Sequence, residues 1–501
     1  MKNCHILRGL PALLALALVG FTTGCTDLDP IESDVFFDAV DESGNVRPDN
    51  APELVDGAYN NLSLFTNQAD VYSLFQHTSD ELLPPTRGTD WGDNGVWRTL
   101  HAHTWDPTHS FVLNSWNQLN GQLFATQAIL SADPLTAEDR AHGTFLEGFY
   151  IWHVLDLFGQ VPFRDFNDGA DVLPVTIQRA DAIERAISDV ETAIDGLPST
   201  GPGQNIQGSK AAAYAMLTRM YLNRAVYVSD NPAGPYSFDN ADLMKVVEYA
   251  DELTDEGYAF HDDYFGIFEE GENSEVILVS NNGSPQNRYF MTLHYNQNPS
   301  GWNGFTTIAE LYDSFDEDDP RFGAEPDPDG TDFSGIGTGF LEGQQVGDNG
   351  QQLTTRSGAP LVFTKDITLA GATENEGIRV IKYHPGRAGK YIILRYAEAQ
   401  LNKAEALFRM GDTDGALDVI NEMRTARGGS EMSSLDENSL LQERARELYW
   451  EGLRRTDQIR FGAFTGTWTG KEAASDPSRV LFPIPQLALD SNPNLEQNPG
   501  Y

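Results

Sequence analysis

Along most of the chain, apolar side chains recur every three or four positions, the spacing that gathers them on one face of a helix. From Ala51 to Phe65, Leu54, Ala58 and Leu62 form one stripe, with Val55 and Tyr59 beside it. Ser110–Leu130 and Thr144–Phe158 are apolar at the same spacing, and Gly159 stops the second. Arg179–Pro198 repeats Ile183, Ala186 or Ile187, Val190 and Ile194, then ends at Gly196 and Pro198. Ser209–Tyr227 is rich in alanine and suits close packing against a neighbour. The pattern predicts a mainly α protein.

Around Ser274 the texture changes. "SEVILVS" is a compact β-branched run, and from Asn281 to about Ile378 the chain is dense in Gly, Asn, Asp and Pro. A structureless loop of that length would be abnormal inside a compact domain, so short strands and ordered functional loops are expected there. The helical period returns at Lys390–Gly428. Ile393, Tyr396 or Ala397, Leu401, Ala404 and Leu407 make one face, Gly411 turns the chain, Asp412 to Asp414 can cap, and Ala416, Val419, Ile420 and Met423 make the next. This helix-turn-helix has about the 34-residue length of a tetratricopeptide unit, although no unbroken array of such units is visible.

The last segment, "LFPIPQLALDSNPNLEQNPGY", carries four prolines and three asparagines, which suit neither a helix nor a central strand. Leu481, Phe482, Ile484, Leu487 and Leu489 make it too apolar for a loose end, so it reads as an irregular strap over a finished core.

At the other end, Lys2 and Arg8 precede an uncharged apolar run, Leu10–Phe21, too short for the ~20 residues of a membrane span. "FTTGC" follows, with small residues before Cys25 as in the lipobox of bacterial lipoproteins. Residues 1–24 are therefore expected to be a removed signal peptide and Cys25 the site of acylation, holding the protein on a membrane without spanning it. Cys4 leaves with the signal, so no disulfide is expected and the core alone must hold the fold. Residues 25–501 are expected to form a single domain, with a helical part to residue 270 and a loop-rich segment, further helices and the strap in 271–501.

Charge narrows the partners. There are 75 acidic and 33 basic residues, a net charge of −42, and removal of Lys2 and Arg8 makes it two units more negative. No nucleic-acid partner is expected, nor adhesion to an anionic lipid face. Eight lysines stand against 25 arginines. Such a surface suits a medium of high ionic strength, and equally an acidic protein in ordinary seawater or gut fluid.

Several segments together resemble one family, the SusD/RagB outer-membrane lipoproteins. Leu394–Leu407 looks like its helix signature, and Glu443–Gly462 is similar to its Glu/Arg-rich helix, with Glu443, Arg444, Glu447, Glu451, Gly452, Arg454, Asp457 and Arg460 in register. The ending, Leu481–Tyr501, matches nearly position for position, and "CTDLDP", "LVDGAYNNL", "LFGQVPF", "NSEVILVS" and "LYDSFDEDDPRF" are weaker echoes in the same order. The resemblance implies four tetratricopeptide-like helix pairs elaborated by a loop-rich ligand-binding part with a few short strands. It also implies a surface-facing outer-membrane lipoprotein that captures a glycan or other nutrient as the lid of a SusC-type TonB-dependent transporter, without catalysis. Asp27 and Asp29 resemble the acidic export signals of surface lipoproteins. In the Glu/Arg-rich helix, Glu451 and Arg455 read as an i,i+4 pair and most charges as scaffold ion pairs or transporter contacts. The alternative is a tetratricopeptide-type scaffold that binds only protein.

A sugar needs a flat aromatic for its C–H face and polar side chains for its hydroxyls. Two stretches outside the repeat-like helices meet that need. One supplies Arg87, Asp90, Trp91, Asp93, Asn94, Trp97 and Trp105, the other Asn287, Tyr289, Tyr295, Asn296, Trp302 and Asn303. Tryptophans among glycines and asparagines lack core periodicity, so Arg87, Trp91, Asn94, Trp97, Trp105, Tyr295, Asn296, Trp302 and Asn303 are the ligand-binding candidates. The structural alternative is that these aromatics pack the loops down. No carboxylate sits in a recognisable glycosidase motif, so no catalytic residue is assigned. His101, His103 and His109 lack a fourth zinc ligand and read as solvated loop histidines. Asp327, Asp329 and Asp332 lack calcium-loop spacing and read as a capped acidic turn. No metal or cofactor is expected.

Overall fold

The computed structural model describes residues 39–40, 46–168, 171–271 and 273–501. Cys25, the signal segment, Asp27 and Asp29 lie outside the described residues. The chain opens with a short antiparallel pair, β1 (Ala39–Val40) and β2 (Val46–Arg47), then α1 (Ala51–Asn60), α2 (Asp70–Gln76), α3 (Val96–His101), α4 (Ser110–Leu130) and α5 (Ala137–Phe158). A hairpin of β3 (Gln160–Phe163) and β4 (Val175–Gln178) leads to α6 (Arg179–Ala193), α7 (Lys210–Tyr227) and α8 (Asn240–Asp255). The loop-rich segment holds β5 (Val276–Val279), α9 (Asn287–Phe290), α10 (Ala309–Tyr312), β6 (Gly323–Ala324), β7 (Thr338–Leu341), β8 (Gly343–Gln344), β9 (Val362–Phe363), β10 (Arg379–Ile381) and β11 (Ile392–Arg395). The chain closes with α11 (Tyr396–Arg409), α12 (Thr413–Ala426), α13 (Glu437–Leu448), α14 (Arg454–Arg460) and α15 (Gln486–Ser491).

The long helices form where the spacing placed them, and their ends follow capping chemistry. The Thr136 hydroxyl accepts the Asp139 N–H at 3.0 Å to start α5, and Gly159 ends it with φ of 71°. On α6 the buried positions are Ala182, Ile183, Ala186, Ile187, Val190 and Ala193, one continuous stripe. Gly411, with φ of 89°, makes the turn before α12, and Asp412 caps it through the Gly415 N–H at 3.0 Å.

The helices stack as a row. α5 lies against α4 and α6, α7 against α6 and α8, and α11 against α8 and α12. Gly148 permits the α5–α6 approach, because a Cβ there would stand 2.7 Å from the Ala186 carbonyl oxygen. Since α8 touches α11, the loop-rich segment between them is an excursion from the row. Its neck is closed by β5, which pairs antiparallel with β11, Val276 facing Arg395 and Val279 facing Ile392. Within it β7 pairs with β6 and β10, and β8 with β9.

The final segment is ordered across the row. The Phe482 N–H donates to the Leu157 carbonyl at 2.8 Å, Asn498 Nδ2 to the Phe158 carbonyl at 2.9 Å, and Gln160 Nε2 to the Glu496 carbonyl at 2.7 Å. Leu481, Phe482, Ile484 and Leu495 are buried. Two details depart from the sequence reading. Gln486–Ser491 is helical for six residues, with proline only at its N-cap, where no backbone donor is needed, and Leu487 is left exposed.

The Glu/Arg-rich stretch also departs from the reading. It is not one helix: α13 stops at Leu448, Trp450 takes φ of 61°, and α14 begins at Arg454. Glu451 and Arg455 therefore do not pair at i,i+4. Glu451 meets Arg395 at 2.6 Å, while Arg455 meets Asp156 at 2.6 Å. Almost every charge of the stretch is buried. Glu447 accepts from Arg395 and Arg427, both at 2.8 Å, and from Arg321 at 3.2 Å. Glu275 takes second bonds from Arg395 at 2.7 Å and Arg427 at 2.9 Å, which ties β5 to α12, α13 and β11. Buried charges of this kind persist only when paired and hydrogen-bonded.

Candidate functional site

The two aromatic stretches meet. The first leaves the row after α2 and makes a tight turn, in which the Arg87 N–H donates to Asp90 O at 3.0 Å and the Asp90 N–H to Arg87 O at 2.9 Å. The second follows α9. Trp91 Nε1 donates to the Trp302 carbonyl at 2.9 Å, and Tyr295 Oη donates to Asp90 Oδ2 at 2.8 Å. The Trp91 and Trp302 ring centroids lie 6.3 Å apart. Trp91 also rests on Gly304, where a Cβ would stand 2.3 Å from its Cζ2. Trp91, Asp93, Asn94 and Asn303 all have positive φ (61°, 34°, 54° and 49°), so uncommon backbone conformations concentrate in these two loops.

The candidates divide into two layers. Trp302, Asn94 and Asn296 are exposed, Trp302 to 55 %. Trp91 and Tyr295 are half-buried. Asn296 Nδ2 is held by the Thr354 carbonyl at 2.7 Å. Beneath them Trp97 is buried among Phe111, Phe305 and Trp91, its Nε1 donating to Asp93 Oδ2 at 2.7 Å. Trp105 is buried too, far from this face, with Phe482 at 4.6 Å between centroids and its Nε1 on Tyr501 Oη at 2.7 Å. The expectation that the loop tryptophans stand outside the core thus fails for Trp97 and Trp105. Their cover comes from distant segments, so local periodicity carried no sign of it.

Arg87 and Asn303 are also buried and act from below. Arg87 donates to the carbonyls of Thr373 and of Glu376, the latter at 2.8 Å. Arg379 donates to Asn303 Oδ1 at 2.7 Å and to the Glu374 and Glu376 carbonyls at 3.0 and 2.9 Å. Two buried guanidinium groups thereby shape the 373–377 loop and present Glu374 at the rim. Asn287 faces away, its Nδ2 on the Thr66 carbonyl at 3.3 Å.

Two rim residues escaped the sequence reading. Arg356 lies with its guanidinium carbon 4.0 Å from the Tyr295 ring centroid, a cation–π contact. Its Nη2 meets Asp90 Oδ2 at 3.1 Å and its Nε meets Glu374 Oε1 at 2.6 Å. Burial would raise the Glu374 carboxyl, but the bonds from the Arg356 side chain and N–H and from His294 pull it down to about 2. Burial, reinforced by the bond to Asp90, pushes Tyr295 up to about 12, so it remains a neutral hydroxyl. "TTRSGAP" around Arg356 looks like any polar turn, and only the Gly/Asn/Asp/Pro density of residues 281–378 pointed towards it.

The remaining suspects resolve locally. His101 meets the carbonyls of Leu82 at 3.1 Å and Thr469 at 2.9 Å, and His103 meets that of Thr78 at 2.7 Å. His109 caps α4 through the Phe111 N–H at 3.2 Å. All three are buried, not solvated: His101 and His103 lie against the C-terminal residues Trp468 and Phe464, and His109 lies against Val96, Thr99 and Phe111. Asp329 accepts the Thr331 N–H at 2.9 Å and hydroxyl at 2.6 Å, a capped turn. Among the described residues no group of three or more His, Cys, Asp or Glu is placed to hold a metal, and no helix is long and apolar enough to cross a membrane.

The sequence model of the SusD family matches residues 379–501. The starch-binding protein SusD of Bacteroides thetaiotaomicron is 26 % identical over 471 residues, spanning 82 % of each chain. The C-terminal part of this chain thus carries the SusD family pattern, and the chain is similar to SusD over most of its length. The fold agrees: a SusD-superfamily structure from Parabacteroides distasonis superposes with a TM-score of 0.69 at 17 % identity, covering 90 % of this chain and 99 % of that one. The surface glycan-binding protein A of B. thetaiotaomicron, in complex with laminarihexaose, superposes with a TM-score of 0.64 at 19 % identity, with the same coverage. SusD-family proteins are cell-surface, outer-membrane-associated binding proteins without catalytic activity. This SusD-like chain accordingly belongs with binding proteins and not with enzymes.

Proposed function

We propose that this SusD-like protein captures a glycan at the cell surface on the platform built by Trp91, Tyr295 and Trp302. The observation that carries the reading is the joining of two loops some two hundred residues apart through Trp91–Trp302 and Tyr295–Asp90 on one exposed face. A half-exposed tryptophan beside amide, carboxylate and guanidinium groups offers what a sugar ring requires: a flat apolar surface and a rim of donors and acceptors. The starch-binding and laminarihexaose-bound relatives support a glycan as the ligand class. The finer arrangement is part of the same proposal: Cys25 carries the lipid anchor, and the protein works as the lid of a SusC-type TonB-dependent transporter.

Affinity electrophoresis of the purified protein against a polysaccharide panel tests the binding reading. At least one glycan retards the wild type, and Trp302→Ala restores free migration. Equal retardation of both proteins moves the site off the platform. Fractionation tests the anchor: Cys25→Ala should leave the membrane fraction, because the acyl chains supply the attachment.

A further inference from the structure

We propose that Asp90, Arg356 and Glu374 form a clamp, one guanidinium shared by two carboxylates, for the hydroxyl groups of an uncharged glycan, and that this clamp keeps anionic glycans off the platform. The proposal rests on the glycan-platform reading above and narrows its ligand class.

Arg356 is the exposed cation at the rings, and it is already engaged. Its Nη2 lies 3.1 Å from Asp90, its Nε 2.6 Å and its backbone N 2.9 Å from Glu374, and its plane covers Tyr295. Its Nη1 makes no bond to the described residues, so two N–H donors remain. Asp90 and Glu374 keep lone pairs beyond those taken by Arg356, Tyr295 and His294. A hydroxyl both donates and accepts. Neighbouring hydroxyls on a sugar can therefore accept from Nη1 and donate to either carboxylate, with no net charge brought into the site.

The carboxylate of a uronate or the sulfate of a sulfate ester fits this rim badly, because that group can only accept. It would share one guanidinium with two carboxylates already in place, and Glu374 stays ionised, held down to about 2 by its bonds to Arg356 and His294 against the burial that would raise it. The surroundings deepen the mismatch. Asp93 is exposed on the Trp91 loop, and Asp332 and Asp348 grip Asn298 at 3.2 and 2.6 Å on the flank. The cations nearby do not offset them at the surface. Arg87 and Arg379 are buried and taken up by backbone carbonyls, and Arg98 is half-buried behind Gly95, its Nη2 3.7 Å from where a Cβ would stand. The net charge of −42 adds a long-range repulsion that salt screens.

The test is titration calorimetry of the wild type against two sets of polysaccharides: starch, laminarin, mannan and galactan, and then polygalacturonate, alginate and a sulfated galactan. Binding confined to the uncharged set is expected, with an affinity that changes by less than about twofold between about 0.05 and 0.5 M salt. Arg356→Ala should weaken the bound uncharged glycan by about tenfold or more, as removal of a charged hydrogen-bonding group does. Glu374→Gln should weaken it a few-fold and let polygalacturonate bind measurably; Asp90→Asn serves as the second variant, with melting curves confirming that each is folded. An anionic glycan bound by the wild type as tightly as the best uncharged one overturns the clamp, and so does an Arg356→Ala variant of unchanged affinity. In both cases the platform still stands if Trp302→Ala abolishes binding. If no glycan of either set binds, the platform reading falls and the clamp with it.

Discussion

The scaffold around α13 and the platform around Trp302 are made of the same residue types, arginine, carboxylate and large aromatic, and behave as opposites. In the scaffold Arg395 is buried and divides its guanidinium among Glu275, Glu447 and Glu451. On the platform Arg356 also bridges two carboxylates, but its side chain is 48 % exposed and that of Asp90 36 %. The scaffold network is closed, with its donors and acceptors turned on one another in a medium where losing a partner is expensive. The platform network is paired yet unsaturated, so an arriving hydroxyl finds partners without stripping any away. The contrast teaches that a salt bridge identifies a binding residue only together with its exposure.

Acid should break the scaffold first and by the largest margin. The Glu443 carboxyl would be raised by burial, but Arg321, Arg446 and Arg424 pull it down to about 2, and Glu447 is held lower still by Arg427, Arg395 and Arg321. Depressed carboxylates lend stability that is complete above their ordinary value of 4.5 and disappears as the pH falls through the folded one. Buried histidines such as His77, His103 and His153, held below their ordinary 6.5 by burial, should give a first decline in melting temperature below about pH 6.5. The steepest fall should come between about pH 4.5 and pH 2, as the scaffold carboxylates protonate. A melting temperature that falls no further below about pH 4.5 would mean that groups other than the scaffold carboxylates govern acid unfolding.

Removing one member of the network comes next. Glu447→Gln leaves Arg395, Arg427 and Arg321 buried around a neutral amide and should lower stability by about 3–5 kcal/mol in denaturant titrations. A loss below about 1 kcal/mol would show that the site relaxes or admits water. Trp105→Ala should cost a similar ~3–5 kcal/mol, since a fully buried indole is lost and Tyr501 Oη loses the donor it accepts from, keeping only its own bond to the Leu481 carbonyl. Its effect on glycan affinity at a temperature where it is folded should be slight, because Trp105 lies away from the platform.

How legible each region was follows from how far apart its partners lie. The helices were readable because a stripe such as Ile183, Ala186, Ile187 and Val190 lies within a few turns of itself. The strap was readable from composition, and the α11–α12 turn from Gly411 and Asp412. The break at Trp450 was not, because the positive φ is imposed by packing: Trp450 donates its N–H to Glu81 Oε2 at 3.0 Å and its Nε1 to the Glu81 carbonyl at 3.2 Å, from the other end of the chain. The same holds for the candidate site. Trp91 and Trp302 could be proposed as surface aromatics, but nothing near Trp97 announced Phe305, and nothing near Arg356 announced Asp90, 266 residues away.

The smallest effect sharpens the comparison most, because it requires one aromatic to matter for binding and hardly at all for folding. Trp302 is 55 % exposed, and its backbone carbonyl, not its ring, accepts the Trp91 N–H. Trp302→Ala therefore leaves that hydrogen bond in place and removes only the exposed indole. Glycan affinity should fall by about 1–3 kcal/mol, in keeping with other aromatic anchors. Thermal stability should move by no more than about half a kcal/mol, the usual range for a surface change. Trp97→Ala, one layer below, should reverse the proportions, with ~3–5 kcal/mol lost in stability as Phe111 and Phe305 lose their contact. Trp91 should fall between the two, because one edge packs on Gly304 and the rest is half-open. Calorimetric titrations and melts on the three variants give that ordering directly. If Trp302→Ala destabilises the fold as much as Trp97→Ala does, the ring belongs to the scaffold, and the distinction between a closed and an open network fails at the residue where it should be clearest.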